Sequence, residues 1–521
     1  YVATFIQDDW RVSSRLTLNL GLRWDSDRPM TERFDRLSWF NFNAKLPVEV
    51  AGLPPLVGGL EFAAQNWHPR GVKNPDNNNF APRVGLAFKA TNRLVVRSGL
   101  GIFYNPTTGT GPGGPSVGAL TFDAATNVTT STDGGRTPYS TLSNPFPNGF
   151  IEPTHGSDGL LSLLGNSVNA QFRNDRTSYS AQWNFDLQFQ TGKDSLLDVA
   201  YAGNTGVKLL ASSQLNQIPD ADLALGNALT QKVDNPFFGV VPASASLGQA
   251  TTTAAQLLRP YPQFTGVQQT WGSMAHSSYH ALQIKFRKRY GNGLQFLVSY
   301  AWSKLIDDFS TVEGFLGQQN PGYTDNNNRG LDRALSALDV AHHLVANYQY
   351  ELPFGKGRHF LTHGPAGAVL GGWNINGITT IQSGLPISIS SALNTTNSLG
   401  GGQRPNSTGI STRSPGSVTN RIDSYFNPAA FVDAPQFTFG NIGRLLPDNR
   451  GPYFIDWDIS LLREIQVRES MHFELRGEFF NAFNNVNFQN PSGTTYGLPA
   501  FGSITSTAAP RIIQVAAKFV F

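Results

Sequence analysis

The feature that most constrains this sequence is a regular alternation of apolar and polar residues in runs of about ten. Residues 15–25 read RLTLNLGLRWD, residues 182–190 read QWNFDLQFQ, and residues 472–479 read HFELRGEF. Successive side chains of a strand point to opposite faces, so the pattern predicts strands with one apolar and one polar face. Ordinary strands average about five or six residues, whereas a strand that crosses a bilayer needs about 9–11. The run length therefore favours a membrane barrel over a soluble sandwich.

The spacing of these runs predicts how the strands are connected. Short gaps, such as the Gly-Asn-Gly turn at 291–293, alternate with long ones when the intermediate gap at 353–370 counts as short. Such alternation is typical of outer-membrane barrels. We therefore predict an all-β, antiparallel, up-and-down transmembrane β-barrel with its long loops on one rim. The thirteen predicted strands are 1–10, 15–25, 81–90, 94–105, 177–190, 195–209, 278–290, 294–307, 339–352, 371–383, 453–467, 471–484 and 511–521.

The composition excludes several classes of protein. The chain has no Cys, which excludes disulfide scaffolds, thiolate metal sites and cysteine nucleophiles. A net charge of +3 gives no case for a nucleic-acid partner. Only 14% of residues are charged, about half of the usual share of roughly 25%, yet the mean hydropathy is negative, at −0.24. Alternating strands and long Asn-, Gly-, Ser- and Thr-rich loops account for this combination.

The number of predicted strands suggests that more of the barrel lies upstream. Single-chain bacterial barrels have an even number of strands, and an open sheet edge is not tolerated in lipid. The chain also begins at Tyr1, inside a predicted strand. We therefore expect residues 1–521 to be the C-terminal portion of a longer barrel.

The last strand resembles the C-terminal signal of outer-membrane barrels that the barrel-assembly machinery recognises. Ile513, Val515, Phe519 and Phe521 alternate along it, and the chain ends on Phe. This resemblance implies that the assembly machinery is a partner. The loop spacing separately predicts a periplasmic C-terminus: with all long loops on one side and the first strand running inward, the thirteenth strand also runs inward.

Several motifs in order along the chain resemble TonB-dependent receptors of the Oar-like group. They are FIQDDW at 5–10, LTLNLGLR at 16–23, NNFAPRVG at 78–85, LRPYPQF at 258–264, SYHALQ at 278–283, YAWSK at 300–304, ELPFGKG at 351–357 and RGEFFNAFN at 476–484. The resemblance implies a 22-stranded barrel in the bacterial outer membrane, of which nine strands, a plug and any carboxypeptidase-regulatory-like domain would precede residue 1. It also implies partnership with the TonB complex through that plug.

Three functions are compatible with these patterns. The first is transport of an extracellular ligand across the outer membrane, without catalysis or a cofactor. The second is adhesion or protein export, in which Ser/Thr/Gly-rich loops at 106–143 and 391–420 would make the contacts. The third is a soluble carbohydrate-active enzyme, which would require paired carboxylates in a cleft, and the sequence identifies no such pair.

Two groups of loop residues are candidate binding positions. Asp76, Asp325 and Asp332 lie in Asn/Asp-rich stretches whose hard oxygen ligands suit Ca²⁺, although Asn and Asp also favour turns for backbone reasons. Phe146, Phe237 and Tyr261 stand among loop prolines. They either form an aromatic platform for a ligand or pack the loops against one another. No catalytic or cofactor motif is present.

Overall fold

A computed structural model of the chain describes residues 1–105, 120–310, 322–468 and 471–521. Thirteen long strands pair antiparallel with their sequence neighbours, so the spatial order follows the chain order. This confirms the predicted up-and-down arrangement. The strands are β1 (Val2–Arg11), β2 (Leu16–Asp27), β3 (Asp76–Lys89), β4 (Leu94–Asn105), β5 (Ser178–Gln190), β6 (Ser195–Gln214), β7 (Gly266–Gly291), β8 (Leu294–Asp307), β9 (His342–Glu351), β10 (Trp373–Gln382), β11 (Phe454–Arg468), β12 (Met471–Phe480) and β13 (Ile512–Val520).

Three strands extend at least five residues further at the long-loop rim than the sequence predicts. β3 begins at Asp76 rather than at 81, β6 ends at Gln214 rather than at 209, and β7 begins at Gly266 rather than at 278. The added part of β7 pairs with β6 through several register shifts between Gln269 and Ser277. Such bulges interrupt the two-residue period, so this part of β7 has no regular alternation for sequence analysis to detect.

The turn between β7 and β8 has the geometry that its sequence predicts. Asn292 and Gly293 both have positive φ, at 55° and 77°, and Gly291 pairs with Leu294 across the turn. Two central residues with positive φ define the type I′ turn, whose twist matches that of an antiparallel hairpin. Glycine and asparagine are the residues that adopt this conformation most readily.

The register of the sheet places apolar side chains on one face and polar side chains on the other. Phe185 lies beside Tyr201 on one face, and its neighbour Asn184 lies beside Ala202 on the other. We call these the apolar face and the polar face. Large side chains on the apolar face are widely exposed, a condition that soluble monomers rarely show over a continuous area. Examples are Leu20, Leu22, Leu100, Phe185, Phe189 and Phe473.

The long loops contain secondary structure of their own. Short antiparallel pairs join Ser38–Lys45 to Val57–Phe62, Lys232–Asp234 to Thr251–Thr253, and Asn406–Ser407 to Phe431–Val432, while Ser390–Ser391 pairs parallel to Thr495–Tyr496. Ser167–Ala170 adds to β7, and Ala334–Leu335 adds to β8.

The helices are short. They are α1 (Ala254–Leu257), α2 (Gly364–Leu370), and 3₁₀ turns at Gly159–Leu161, Asp220–Thr230, Arg329–Asp332, Thr419–Arg421 and Pro428–Ala430. Within the described ranges, no helix has the length and apolar content needed to cross a membrane.

Candidate functional site

Three long loops fold together above one side of the sheet. We call residues 28–75, 120–177 and 215–265 the first loop cap. Its core contains Leu60, Phe237 and Phe264, each at most 1% exposed. The rings of Phe40 and Phe264 meet edge to face with centroids 5.7 Å apart. This cap therefore has a hydrophobic core of its own, which continues onto the rim end of β7 at Val267.

A second set of loops forms a similar structure. We call residues 383–453 and 481–511 the second loop cap. Ile387, Ile389 and Phe426 are buried in its core, and the Phe426 ring lies 5.2 Å from that of Phe501. The Tyr425 hydroxyl donates a 2.6 Å hydrogen bond to the Arg450 carbonyl. Burial among these apolar groups raises the pKa of Tyr425, so this hydroxyl stays protonated and remains a donor.

Ion pairs attach the second loop cap to the C-terminal end of β8 and to the loop that follows β8. The structure pairs Asp307 with Arg444, Asp332 with Arg404, and Asp339 with Arg450. We call these six residues the Asp–Arg latch. In the first two pairs every side chain is less than a tenth exposed. Burial lowers the pKa of Arg404, an effect that the charge of Asp332 opposes.

The polar face forms the wall beneath the caps. A row of amide, hydroxyl and carboxylate side chains crosses five strands in register: Gln295, Gln349, Asn376, Ser460 and Glu478. The Gln295 amide donates a 2.6 Å hydrogen bond to the Gln349 amide oxygen. A cavity of about 300 Å³ is lined by these residues. The wall therefore offers closely spaced donors and acceptors to a polar ligand or a polar protein surface.

The structure gives protein partners to the three candidate calcium ligands. Asp76 accepts hydrogen bonds from Arg176 and from the Thr177 amide. Asp332 pairs with Arg404 at 2.6 Å. In the described part of the chain, no group of three or more His, Cys, Asp or Glu is arranged to hold a metal ion. Calcium binding by Asp76, Asp325 and Asp332 stays a prediction.

Asp325 lies in a polar cluster that joins two loops. It accepts a 2.7 Å hydrogen bond from Gln217, which also donates to Asp220 at 3.1 Å. Burial raises the pKa of Asp325, and the adjacent Asp220 carboxylate adds to the rise, while bonds from Gln217 and Asn327 oppose it. The cluster connects the first loop cap to the loop between β8 and β9.

The candidate loop aromatics occupy two kinds of environment. Phe237 is 1% exposed within the first cap, and Tyr261 packs edge to face on Phe40 at 5.4 Å. The ring of Phe146 instead lies tilted against that of Phe150, with centroids 4.8 Å apart; Phe146 is half-buried and Phe150 is exposed. Two of the three therefore pack the loops in this structure. Ligand contact by Phe146, Phe237 and Tyr261 stays a prediction.

The residues of the resembled assembly signal lie on the apolar face of β13. Ile513 pairs with Phe479, Val515 with Gly477, and Phe519 with Phe473. Phe519 and Phe521 stack with ring centroids 6.1 Å apart. The recognition of Ile513, Val515, Phe519 and Phe521 by an assembly machinery stays a prediction.

Comparison with known proteins identifies the family. The sequence matches the outer membrane beta barrel domain over residues 1–514. The chain belongs to this family. The match confirms an outer-membrane barrel rather than an enzyme, with its apolar face toward lipid and its polar face toward the lumen. No curated protein matches the sequence.

Solved structures of transporters are similar to this outer-membrane barrel at low identity. The outer membrane transporter YddB from Escherichia coli is 9% identical with a TM-score of 0.44, covering 100% of this chain and 53% of YddB. The FrpB iron transporter from Neisseria meningitidis is 10% identical with a TM-score of 0.40, covering 99% and 44%. The ferric-catecholate import receptor Fiu from E. coli K12 is 10% identical with a TM-score of 0.40, covering 100% and 44%. The chain thus spans about half the length of these proteins.

Acid is expected to loosen one loop contact of this barrel. Burial alone would raise the pKa of Asp448, but hydrogen bonds from Thr412 and Ser411 outweigh it and hold the pKa below its usual range. A depressed carboxyl pKa stabilises the fold above the unfolded value of about 4, and this contribution is lost as the pH falls toward the folded value. Because the side chain is exposed, we expect a loss below about 1 kcal/mol.

Limited proteolysis of residues 411–448 between pH 7 and about pH 3 measures this contact. The Asp448→Asn variant should be cleaved faster than wild type at pH 7, and this difference in rate should narrow as the pH falls toward about 3, where Asp448 begins to take up a proton. A constant difference at all pH values would show that the charge of Asp448 does not contribute.

Proposed function

We propose that this barrel is the membrane part of a TonB-dependent transporter, which binds a ligand at its long-loop rim and moves it across the outer membrane. The observation that carries the proposal is the pair of loop caps, each folded around its own core above a polar lumenal wall. Functional residues are concentrated on loops that a rigid scaffold positions. Ordered caps reduce the entropy lost when a ligand binds.

We extend this proposal to the domain organisation. Residues 1–521 would form the C-terminal portion of a 22-stranded barrel, with the remaining strands and a plug upstream. The coverage of about half of the similar transporters supports this division. The TonB complex would act through the plug, and a periplasmic C-terminus would place both loop caps outside the cell.

The ligand would first contact the loop caps and then the row of polar side chains on the lumenal wall. Phe150 is exposed beside the half-buried Phe146, and this aromatic pair is placed to make a first contact with a ligand. The amide and carboxylate groups of Gln349, Asn376 and Glu478 would receive polar groups of the ligand further in. Aromatic contacts at the caps and polar contacts at the wall favour a ligand with both apolar and hydrogen-bonding parts.

Energy dependence tests the proposal. Cells carrying the intact gene, a gene deletion or a tonB deletion are grown in a defined medium, and the compounds removed from that medium are measured by mass spectrometry. We expect at least one compound to be taken up only when both genes are intact. Uptake that persists without TonB would contradict the proposal.

A second candidate is surface adhesion or protein export. Leu142 and Phe150 are exposed on the first cap, and apolar loop residues of this kind suit contact with another macromolecule. Of the two loop stretches that would make such contacts, 106–143 and 391–420, residues 106–119 lie outside the described part of the chain. Adhesion should survive deletion of tonB, whereas TonB-coupled transport should not.

A further inference from the structure

The segment between β9 and β10, which the sequence pattern places among the short gaps, is a folded unit on the short-turn rim. Residues 352–372 contain α2 and no Asp or Glu. The Phe360 amide donates to the Pro353 carbonyl at 2.9 Å. Gly367 allows a close approach of the chain, because a Cβ there would lie 2.1 Å from the Leu361 carbonyl oxygen. The unit is therefore compact despite its short helix.

This unit is attached to the lipid-facing side of the barrel. Arg463 pairs in register with Trp373 and Leu475 on the apolar face. Its guanidinium donates to the Ala368 carbonyl and, at 3.0 Å, to the Val369 carbonyl. The Trp373 indole also donates to the Val369 carbonyl at 3.0 Å. These bonds hold the C-terminal end of α2 against the outside of the wall.

The surface of the unit combines apolar and cationic side chains. Amphipathic surfaces of this composition lie at membrane interfaces, where cations attract anionic lipids. Tryptophan at the end of a strand also favours the interface. The exposed apolar residues are Phe360, Leu361, Val369 and Leu370, and the exposed basic and imidazole residues are Lys356, Arg358, His359 and His363.

An apolar groove lies on the wall next to the unit. It has a volume of about 520 Å³, and its lining includes Trp373, Leu461, Leu475 and Val515. Gly477, which has no side chain, also lines the groove and pairs in register with Leu461 and Val515. The Arg463 guanidinium carbon is 5.8 Å from the centroid of the Trp373 ring. A cation therefore stands at one end of an apolar groove that is continuous with the lipid-facing wall.

We propose that this groove and the α2 unit together bind one anionic phospholipid. An acyl chain lies in the groove beside Leu461 and Val515, and the phosphate lies near Arg463. The two bonds of Arg463 go to neutral carbonyls and use part of its five N–H donors, so the guanidinium keeps both charge and donors for a phosphate. The site depends on the barrel being in a membrane and is independent of any transported ligand.

Site-specific quenching tests this proposal on the protein purified from outer membranes. Because the sequence has no Cys, Val369→Cys provides a single labelling position for an environment-sensitive fluorophore. Vesicles contain phosphatidylcholine and a small share of spin-labelled phosphatidylglycerol or spin-labelled phosphatidylcholine. We expect stronger quenching by phosphatidylglycerol. A label at Leu142→Cys, on an exposed loop of the other rim, should not distinguish the two lipids.

Charge variants separate a phosphate contact from a purely structural role of Arg463. One cation near a membrane surface contributes about 1 kcal/mol, so Arg463→Gln should lower the apparent affinity for phosphatidylglycerol about fivefold. Arg463→Lys should restore most of it. Arg511→Gln is the matched control, because Arg511 also donates to a carbonyl, that of Ala482, but at the other rim. Equal quenching by both lipids, or no effect of Arg463→Gln, would overturn the proposal.

Discussion

Replacement of Arg444 by Met is expected to destabilise the long-loop rim by about 3–5 kcal/mol, because it leaves a buried carboxylate without its cation. Arg444 is fully buried. Its guanidinium pairs with the Asp307 carboxylate and donates to the Ser310 hydroxyl and the Asp332 carbonyl, both at 3.0 Å. Methionine fills part of the volume but supplies none of these donors. The second loop cap should therefore detach from the end of β8.

Denaturant unfolding in detergent and the rate of proteolysis within residues 383–453 measure this effect. Arg70→Met is the matched control, because Arg70 is exposed and pairs in a loop with the partly exposed Asp35, and pairs at the surface contribute less than about 1 kcal/mol. Adding Asp307→Asn to Arg444→Met should recover part of the loss, since no buried charge then remains unpaired. An Arg444→Met effect no larger than that of Arg70→Met would refute a stabilising role of the latch.

The wall of this barrel was predictable because each spanning strand meets two different environments. β5 was predicted as 177–190 and is Ser178–Gln190, and β4 was predicted as 94–105 and is Leu94–Asn105. Their side chains alternate because one face contacts lipid and the other the lumen. β7 shows where this signal ends. Residues 266–277 of β7 lie at the long-loop rim, before the predicted start at 278, and the bulges there remove the regular period.

The sequence indicated which loop residues make polar or aromatic contacts, but not which residues they contact. Asp332 was singled out as a candidate metal ligand, yet its cation in the structure is Arg404, 72 positions further along the chain. Pairing at this distance depends on how two loops pack, which local sequence does not encode. One property of the sequence could have indicated these ion pairs. Only 14% of the residues are charged, so each loop arginine is a candidate partner for a loop aspartate. Phe237 illustrates the same limit, since both ligand contact and loop packing were consistent with its sequence.

An arginine introduced on the lipid-facing side of β5 should destabilise the barrel far more than one introduced beside it on the lumenal side. Phe185 lies near the middle of β5 and is 47% exposed on the apolar face. Phe185→Arg should cost about 2–4 kcal/mol, because a guanidinium near the bilayer midplane loses its hydration. Asn184 points into the lumen from the adjacent position, and Asn184→Arg should change stability by no more than about 0.5 kcal/mol.

The two variants add the same charge to the same strand, so they isolate the effect of the face. The heat-modifiable fraction on a gel reports assembly in cells, and denaturant unfolding in phospholipid vesicles reports the free energy. A third variant, Phe185→Leu, keeps an apolar side chain and should remain close to wild type, which separates the charge effect from loss of the ring. Equal losses for Phe185→Arg and Asn184→Arg would mean that both faces of β5 meet water, and would contradict the assignment of the apolar face to lipid.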